Sequence, residues 1–327
     1  MASEQPKPAA EQAANSTTVE EAGKATAEPI LNKSCRPPNA PEPKLEEFQP
    51  GTKIYTRMYY CRFVGATFSC KTVVIKLANG QLMIYSPGPL DDAFKAEIAA
   101  VGGEVGHLVA PSYFHHLYLP EWRAAYPNAK MYLSPGLEKK RADLFKGEEE
   151  GKRPIVLTDE AEEAWRGELE QTVIMGRMSS EVFFFHKSSR TLLVADMVSM
   201  VTDDFLSKDG TAADWGSWFW YKVLRMRNRP VMEPEFRTAG FPDKAAVKAK
   251  LELVLDQWRP ERVLVNHGEN LLQGADSIAV ILRQCWSGVL GKAQQQAEEK
   301  PKEGGEGAQA SGAGEQNATA TTAEKPK

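Results

Sequence analysis

Leu108–His116 reads LVAPSYFHH. A short apolar run stops at Pro111, which cannot donate to a sheet ladder, and two histidines follow at once. The same text recurs twice. Thr191–Asp196 is TLLVAD and Arg262–Glu269 is RVLVNHGE. Short apolar runs bounded by turn residues suit buried strands. In open α/β sheets the ligand crevice lies beyond the carboxyl ends of the strands. If these three strands are parallel neighbours, His115, His116, Asp196 and His267 converge on one place. Imidazole and carboxylate together form a ligand set for zinc, iron or manganese. The other two of the five histidines are expected outside it. His107 begins its strand and reads as an edge or surface residue. His186 leaves a strand at the opposite end of a hairpin from Asp196 and reads as structural.

The elements around these segments alternate. IYTRMYYCRF (54–63), KTVVIKL (71–77) and QLMIYS (81–86) read as strands. The last two are joined across Ala78-Asn79-Gly80, a strong hairpin signal because Asn and Gly tolerate positive φ. Pro89–Asp92 starts a helix with Phe94, Ile98 and Val101 on one face. Further helices are expected at 119–126 and 137–145, and a strand at KMYLS (130–134). QTVIM (171–175) and EVFFF (181–185) precede TLLVAD as strands. Trp215, Trp218, Phe219, Trp220 and Tyr221 crowd one helical segment, read mainly as core packing. KAAVKAKLELVLDQW (244–258) carries Val247, Leu251, Val254 and Leu255 on one stripe. A helix over 275–286 closes the core. Strands alternating with helices, some paired as hairpins, indicate an α/β class with a mixed sheet covered by helices.

Composition narrows the function classes. The chain has 327 residues and a net charge of −4, with 42% hydrophobic residues and a mean hydropathy of −0.43. The apolar deficit is concentrated at the ends. Residues 1–47 and 292–327 are read as disordered tails, poor in the apolar side chains that offset ordering entropy. Residues 48–291 are read as one domain. No run of about 18 apolar residues marks a membrane span, and no basic-then-apolar leader marks secretion, so a cytoplasmic location is expected. The pI of 5.9 argues against a nucleic-acid partner. Cys35, Cys61, Cys70 and Cys285 form no CxxC pair and read as reduced thiols. Nucleophile elbows and phosphate-binding glycine loops are missing.

Three longer segments carry a family resemblance. They are LVAPSYFHHLYLPEWRAAYPNAKMYLSPGLEKKR (108–141), EVFFFHKSSRTLLVADMV (181–198) and VLVNHGEN (263–270). Together they resemble a domain-of-unknown-function branch of the metallo-β-lactamase-like superfamily, over about residues 58–284. The resemblance implies an αββα sandwich, two mixed sheets covered by helices. It also implies a degenerate metal motif. The superfamily pattern H-x-H-x-D-H falls on Pro111–His116. Pro111 and Tyr113 take the places of two ligands, His115 takes that of the Asp, and His116 keeps the last His. Gly176-Arg177 stands where a further His is usual. Asp196 matches the bridging Asp and His267 the final His. The three absent ligands belong to one metal, so the resemblance implies a single divalent ion, zinc or iron, on His115, His116, Asp196 and His267. His115 and Asp196 are then the candidate catalytic groups. Glu269 is a candidate partner behind His267. The activity implied is hydrolysis of an ester, lactone, thioester or phosphoester. The alternative is an inactive descendant that binds a small molecule or a protein, and oxidative chemistry at iron is a third reading.

Overall fold

The structure is a computed structural model that describes residues 35–63, 65–147 and 149–291. The expected tails lie outside the described residues up to position 34 and from position 292. Residues 35–47 are described. Ala40 is buried, and β1 (Glu46–Glu47) pairs with β2 (Ile54–Phe63).

Eleven strands among the described residues form two sheets. The first contains, in sequence order, β1, β2, β3 (Ala66–Lys76), β4 (Leu82–Tyr85), β5 (Val105–Ala110), β6 (Lys130–Leu133) and β7 (Ile155–Val156). β2, β3 and β4 are antiparallel, and β4 through β7 run parallel. The second sheet is ordered β11 (Arg262–Val265), β10 (Thr191–Val194), β9 (Ser180–His186), β8 (Leu169–Met175). β10 and β11 are parallel, so both chains leave the sheet at the same edge.

Alternation along the strands builds three apolar layers. Val73, Tyr85, Val109, Phe184, Leu193 and Leu264 meet between the sheets. Their neighbours Val74, Ile84 and Leu108 turn outward onto Phe94, Ile98 and Trp122 of the helices Asp92–Val101 and Leu119–Ala125. On the far side Phe183, Phe185, Val194 and Val265 pack against Val247, Leu251, Ile278 and Leu282 of the helices Lys244–Leu253 and Ala275–Cys285. Helix, sheet, sheet, helix is therefore the order of layers, the αββα sandwich expected of the resemblance. No helix among the described residues is long and apolar enough to cross a membrane.

Most elements fall where their patterns place them. The Asn79-Gly80 turn joins β3 to β4 as a hairpin. The segment 137–145 differs, splitting into a helical turn at Leu137–Lys140 and a 3-10 turn at Ala142–Phe145. The aromatic helix Trp215–Val223 also differs from a purely core element. Trp220 packs edge-on against Phe68 and Tyr221 is buried, but Trp215 is 72% and Phe219 46% exposed. Its stripe is shared between the core and the surface.

Candidate metal centre

Three chain segments deliver side chains to one point. After β5, the loop is tied to the start of β9 in the other sheet. Val182 N–H donates to the Pro111 carbonyl and Tyr113 N–H to the Ser180 carbonyl. This tie brings His115 over the edge where β10 and β11 end. Asp196 follows β10. The buried Glu181 carboxylate accepts the backbone N–H groups of Ala195, Asp196 and Met197 at 2.6, 2.8 and 2.7 Å, fixing the turn that presents Asp196. Burial and the nearby Asp196 charge push the Glu181 carboxyl up to about 8, against those three donors. His267 follows β11. Gly268 then takes φ +91°, and a Cβ there would lie 1.9 Å from the Met200 carbonyl oxygen. A glycine is required for the turn to close onto the segment after Asp196. Met200 N–H donates to the His267 carbonyl, and Glu269 N–H to the Met200 carbonyl.

The reactive atoms are close together. His115 Nε2 is 3.1 Å from Asp196 Oδ1, His267 Nε2 is 3.4 Å from the same oxygen, and the two imidazole nitrogens are 3.3 Å apart. Side-chain exposure is 5% for His115, 4% for Asp196 and 12% for His267, so His267 is nearest to solvent. The other Asp196 oxygen accepts from Ser112 Oγ at 2.5 Å. Burial alone would raise the Asp196 carboxyl, but His115 and His267 outweigh it and hold the carboxyl far below its usual range. Burial would likewise lower His267. The bond to Asp196 and the negative charges of Glu233 and Asp196 reverse this and raise it to about 9.

The outer partners set the ring orientations. His267 Nδ1–H donates to the Ser69 carbonyl at 3.0 Å, which directs the Nε2 lone pair inward. His115 Nδ1 lies 2.9 Å from Ser86 Oγ and 2.8 Å from Asn266 Nδ2. Asn266 Oδ1 accepts from Lys71 N–H, so its amide group faces Ser86 and His115. Ser86 ends β4 in the left-handed region at φ 54° and is fully buried. With Asn266 it holds the Nδ1 side of the His115 ring, so that Nε2 faces Asp196 and His267.

The structure thus unites three of the four expected ligands. His116 stays out of the group. Its Nδ1 accepts from Arg141 Nη1 at 3.0 Å and its Nε2 is buried without a hydrogen-bond partner. Burial, with Lys140 and Arg141 beside it, lowers its pKa to about 3. Adjacent residues in this tight turn point apart, so two neighbouring histidines do not share one centre. Glu269 does not stand behind His267 either, since Oε1 accepts from Thr202 Oγ1. His186 is held by Ser189 and Ser188 at its hairpin turn. His107 is not a surface residue but 4% exposed beneath Trp165 and Tyr132. Sequence reading did not assign Ser86, Ser112, Glu181 or Asn266. Two carried signals: a lone acid opening the apolar strand EVFFF, and an Asn at the end of RVLV, directly before the histidine.

The three-atom group fits a metal. Zinc bonds of about 2.0–2.1 Å place neighbouring ligands of a tetrahedron about 3.3–3.4 Å apart. The separations here, 3.1 to 3.4 Å, are those of one tetrahedral face. Two imidazoles and one carboxylate leave a fourth position for water or substrate.

Residues 62–208 match the family described as "Domain of unknown function (DUF4336)". No curated protein matches. Among solved structures, the mono-zinc form of the metallo-β-lactamase FIM-1 from Pseudomonas aeruginosa is similar at 8% identity and TM-score 0.48, covering 78% of this chain and 99% of that one. The DIM-1 metallo-β-lactamase is similar at 14% identity and TM-score 0.48, covering 75% and 96%. A metallo-β-lactamase from Pontibacter korlensis is similar at 11% identity and TM-score 0.45, covering 74% and 99%. Residues 62–208 thus match the DUF4336 model, and the described residues form an αββα sandwich with a partial His-Asp-His group.

Proposed function

We propose that this protein is a single-metal hydrolase that holds one divalent ion, zinc or iron, on His115, Asp196 and His267. The observation that supports the reading best is the 3.1 to 3.4 Å spacing of their three inward atoms. A bound divalent ion supplies Lewis acidity, polarising a carbonyl or phosphoryl oxygen and making water a nucleophile near neutral pH. The chain's own groups prepare the site. Ser69 takes the Nδ1 proton of His267, leaving its Nε2 as a donor, and Ser86 and Asn266 hold the His115 ring through its Nδ1. Ser112 and the Glu181-bound turn keep the Asp196 carboxylate in place, and His115 and His267 keep it ionised. The substrate class is an ester, lactone, thioester or phosphoester, approaching on the His267 side.

A second reading has its own observation. Each of the three side chains already hydrogen-bonds another, with Asp196 accepting from both imidazoles. Such a closed group serves a non-catalytic binding protein equally well. Metal content separates the two. Protein expressed in zinc- or iron-supplemented medium is expected to retain about one equivalent, and His115→Ala and His267→Ala far less. Fewer than about 0.2 equivalents in the parent would favour the binding protein. A panel of ester, lactone, thioester and phosphoester substrates then assigns the class.

A further inference from the structure

We propose that Cys61 and Cys70 form a reversible disulfide site that reaches the metal centre through His267. In the β2–β3 ladder Cys61 lies opposite Phe68 and Cys70 opposite Tyr59, so the cysteines are diagonal neighbours on one face. Their Sγ atoms are 3.6 Å apart and both thiols are free. A disulfide needs about 2.05 Å, a closure of roughly 1.5 Å shared between two side chains. Cys61 is the more accessible residue, half-buried, whereas Cys70 is 2% exposed and suited to resolve the product. With hydrogen peroxide as oxidant, the Cys61 sulfur attacks one peroxide oxygen, giving a sulfenic acid and one water. The Cys70 sulfur then attacks Cys61. The S–S bond forms, and the sulfenic oxygen leaves as a second water with the Cys70 proton. Two thiols lose two electrons in all, and a thiol reductant reverses the change.

The position of Cys70 gives the bond a consequence. Its sulfur is 3.8 Å from His267 Nδ1, and the preceding residue, Ser69, supplies the carbonyl that orients that imidazole. Closing the bond moves Cys70 toward Cys61 and shifts the strand whose Ser69 carbonyl holds the His267 ring. Oxidation therefore weakens metal binding. This second step rests on the proposed metal site, but the disulfide itself does not.

The test uses the full chain without metal. After treatment with peroxide, the thiol count in denaturant is expected to fall from four to two, and peptide mapping to show a Cys61–Cys70 link that dithiothreitol removes. Cys35→Ser and Cys285→Ser should keep the link, and Cys70→Ser should abolish it. Cys35 lies within electrostatic reach of Cys61, so a Cys35–Cys61 link, or a count that stays at four, overturns the proposal. A zinc competition titration then compares reduced and oxidised protein, with about tenfold weaker binding expected after oxidation. Equal affinities overturn the coupling alone. Absence of zinc binding in both forms overturns the metal site and the coupling, while the mapped disulfide still stands.

Discussion

The two ends of β5 each carry a buried histidine, yet only one histidine belongs to a site. His107, near the start of the strand, is 4% exposed, and His115, five residues beyond its end, is 6% exposed. At the first end the imidazole packs against Tyr132 and Trp165, with centroids 5.8 and 5.6 Å away, and its Nε2 meets only Gln81 at 3.0 Å. Burial, helped by the Lys130 charge, keeps it neutral and lowers its pKa to about 4. At the second end both ring nitrogens have polar partners, drawn from β4, β10 and β11. Burial of an imidazole therefore says little about function. Convergence of strand ends from both sheets is what distinguishes the site, because it gathers groups far apart in sequence around one point.

The sharpest way to break this contrast is to remove ligands at one end and the histidine at the other. Asp196→Asn and His267→Ala are expected to lower zinc affinity by more than about a hundredfold, beyond the 10–100-fold typical of outer partners. His107→Gln should leave it unchanged. Isothermal titration of the three variants reads this directly, and equal losses in all three would mean that the metal does not choose the His115 end. A second large effect concerns folding. Glu181→Ala leaves three buried N–H groups without an acceptor. At about 1 kcal/mol or more for each, the loss should be about 3 kcal/mol in denaturant unfolding. Parent-like stability would show that the Asp196 turn is held by other contacts.

The contrast also marks what the sequence allows one to read. Strand-end residues were legible because an apolar run followed within a few residues by Asp or His is a local pattern, and Asp196, His267 and His115 stand one, two and five residues beyond their runs. The sandwich was legible through the same runs together with the family resemblance. His116 was misread because sequence proximity does not report direction in a tight turn, where Arg141 captures the ring. His107 was misread because the aromatic residue that covers it, Trp165, lies 58 positions away. Ser86 left no trace because its role depends on a left-handed backbone and on Asn266, 180 positions later.

Ser86 refines the comparison at the near end. Its hydroxyl lies 2.9 Å from His115 Nδ1 and accepts from the Asn266 amide that faces the same nitrogen, so Ser86→Ala should loosen the ring that faces Asp196. Zinc affinity is expected to fall about tenfold, as for other partners behind a ligand, with little change in melting temperature. A loss equal to that of His267→Ala would place Ser86 among the ligands. No loss would show that Asn266 alone orients the ring.

The smallest expected effect belongs to the far end and appears only in acid. The folded pKa of His107 lies near 4, below its ordinary value of 6.5, so the unfolded chain takes up its proton first as pH falls. The stabilising contribution of neutral His107 is complete above about pH 6.5 and is lost between there and about pH 4. The slope is at most about 1.4 kcal/mol per pH unit for one proton. His107→Gln keeps an amide donor for Gln81 and cannot titrate. Melting temperatures of parent and variant at pH 7 and pH 4.5 should therefore diverge in acid, with the parent falling further. Asp196 and the other titrating groups act in both proteins and cancel in the difference. Parallel curves would mean that His107 is charged inside the fold, and the two ends of β5 would then differ less than their packing indicates.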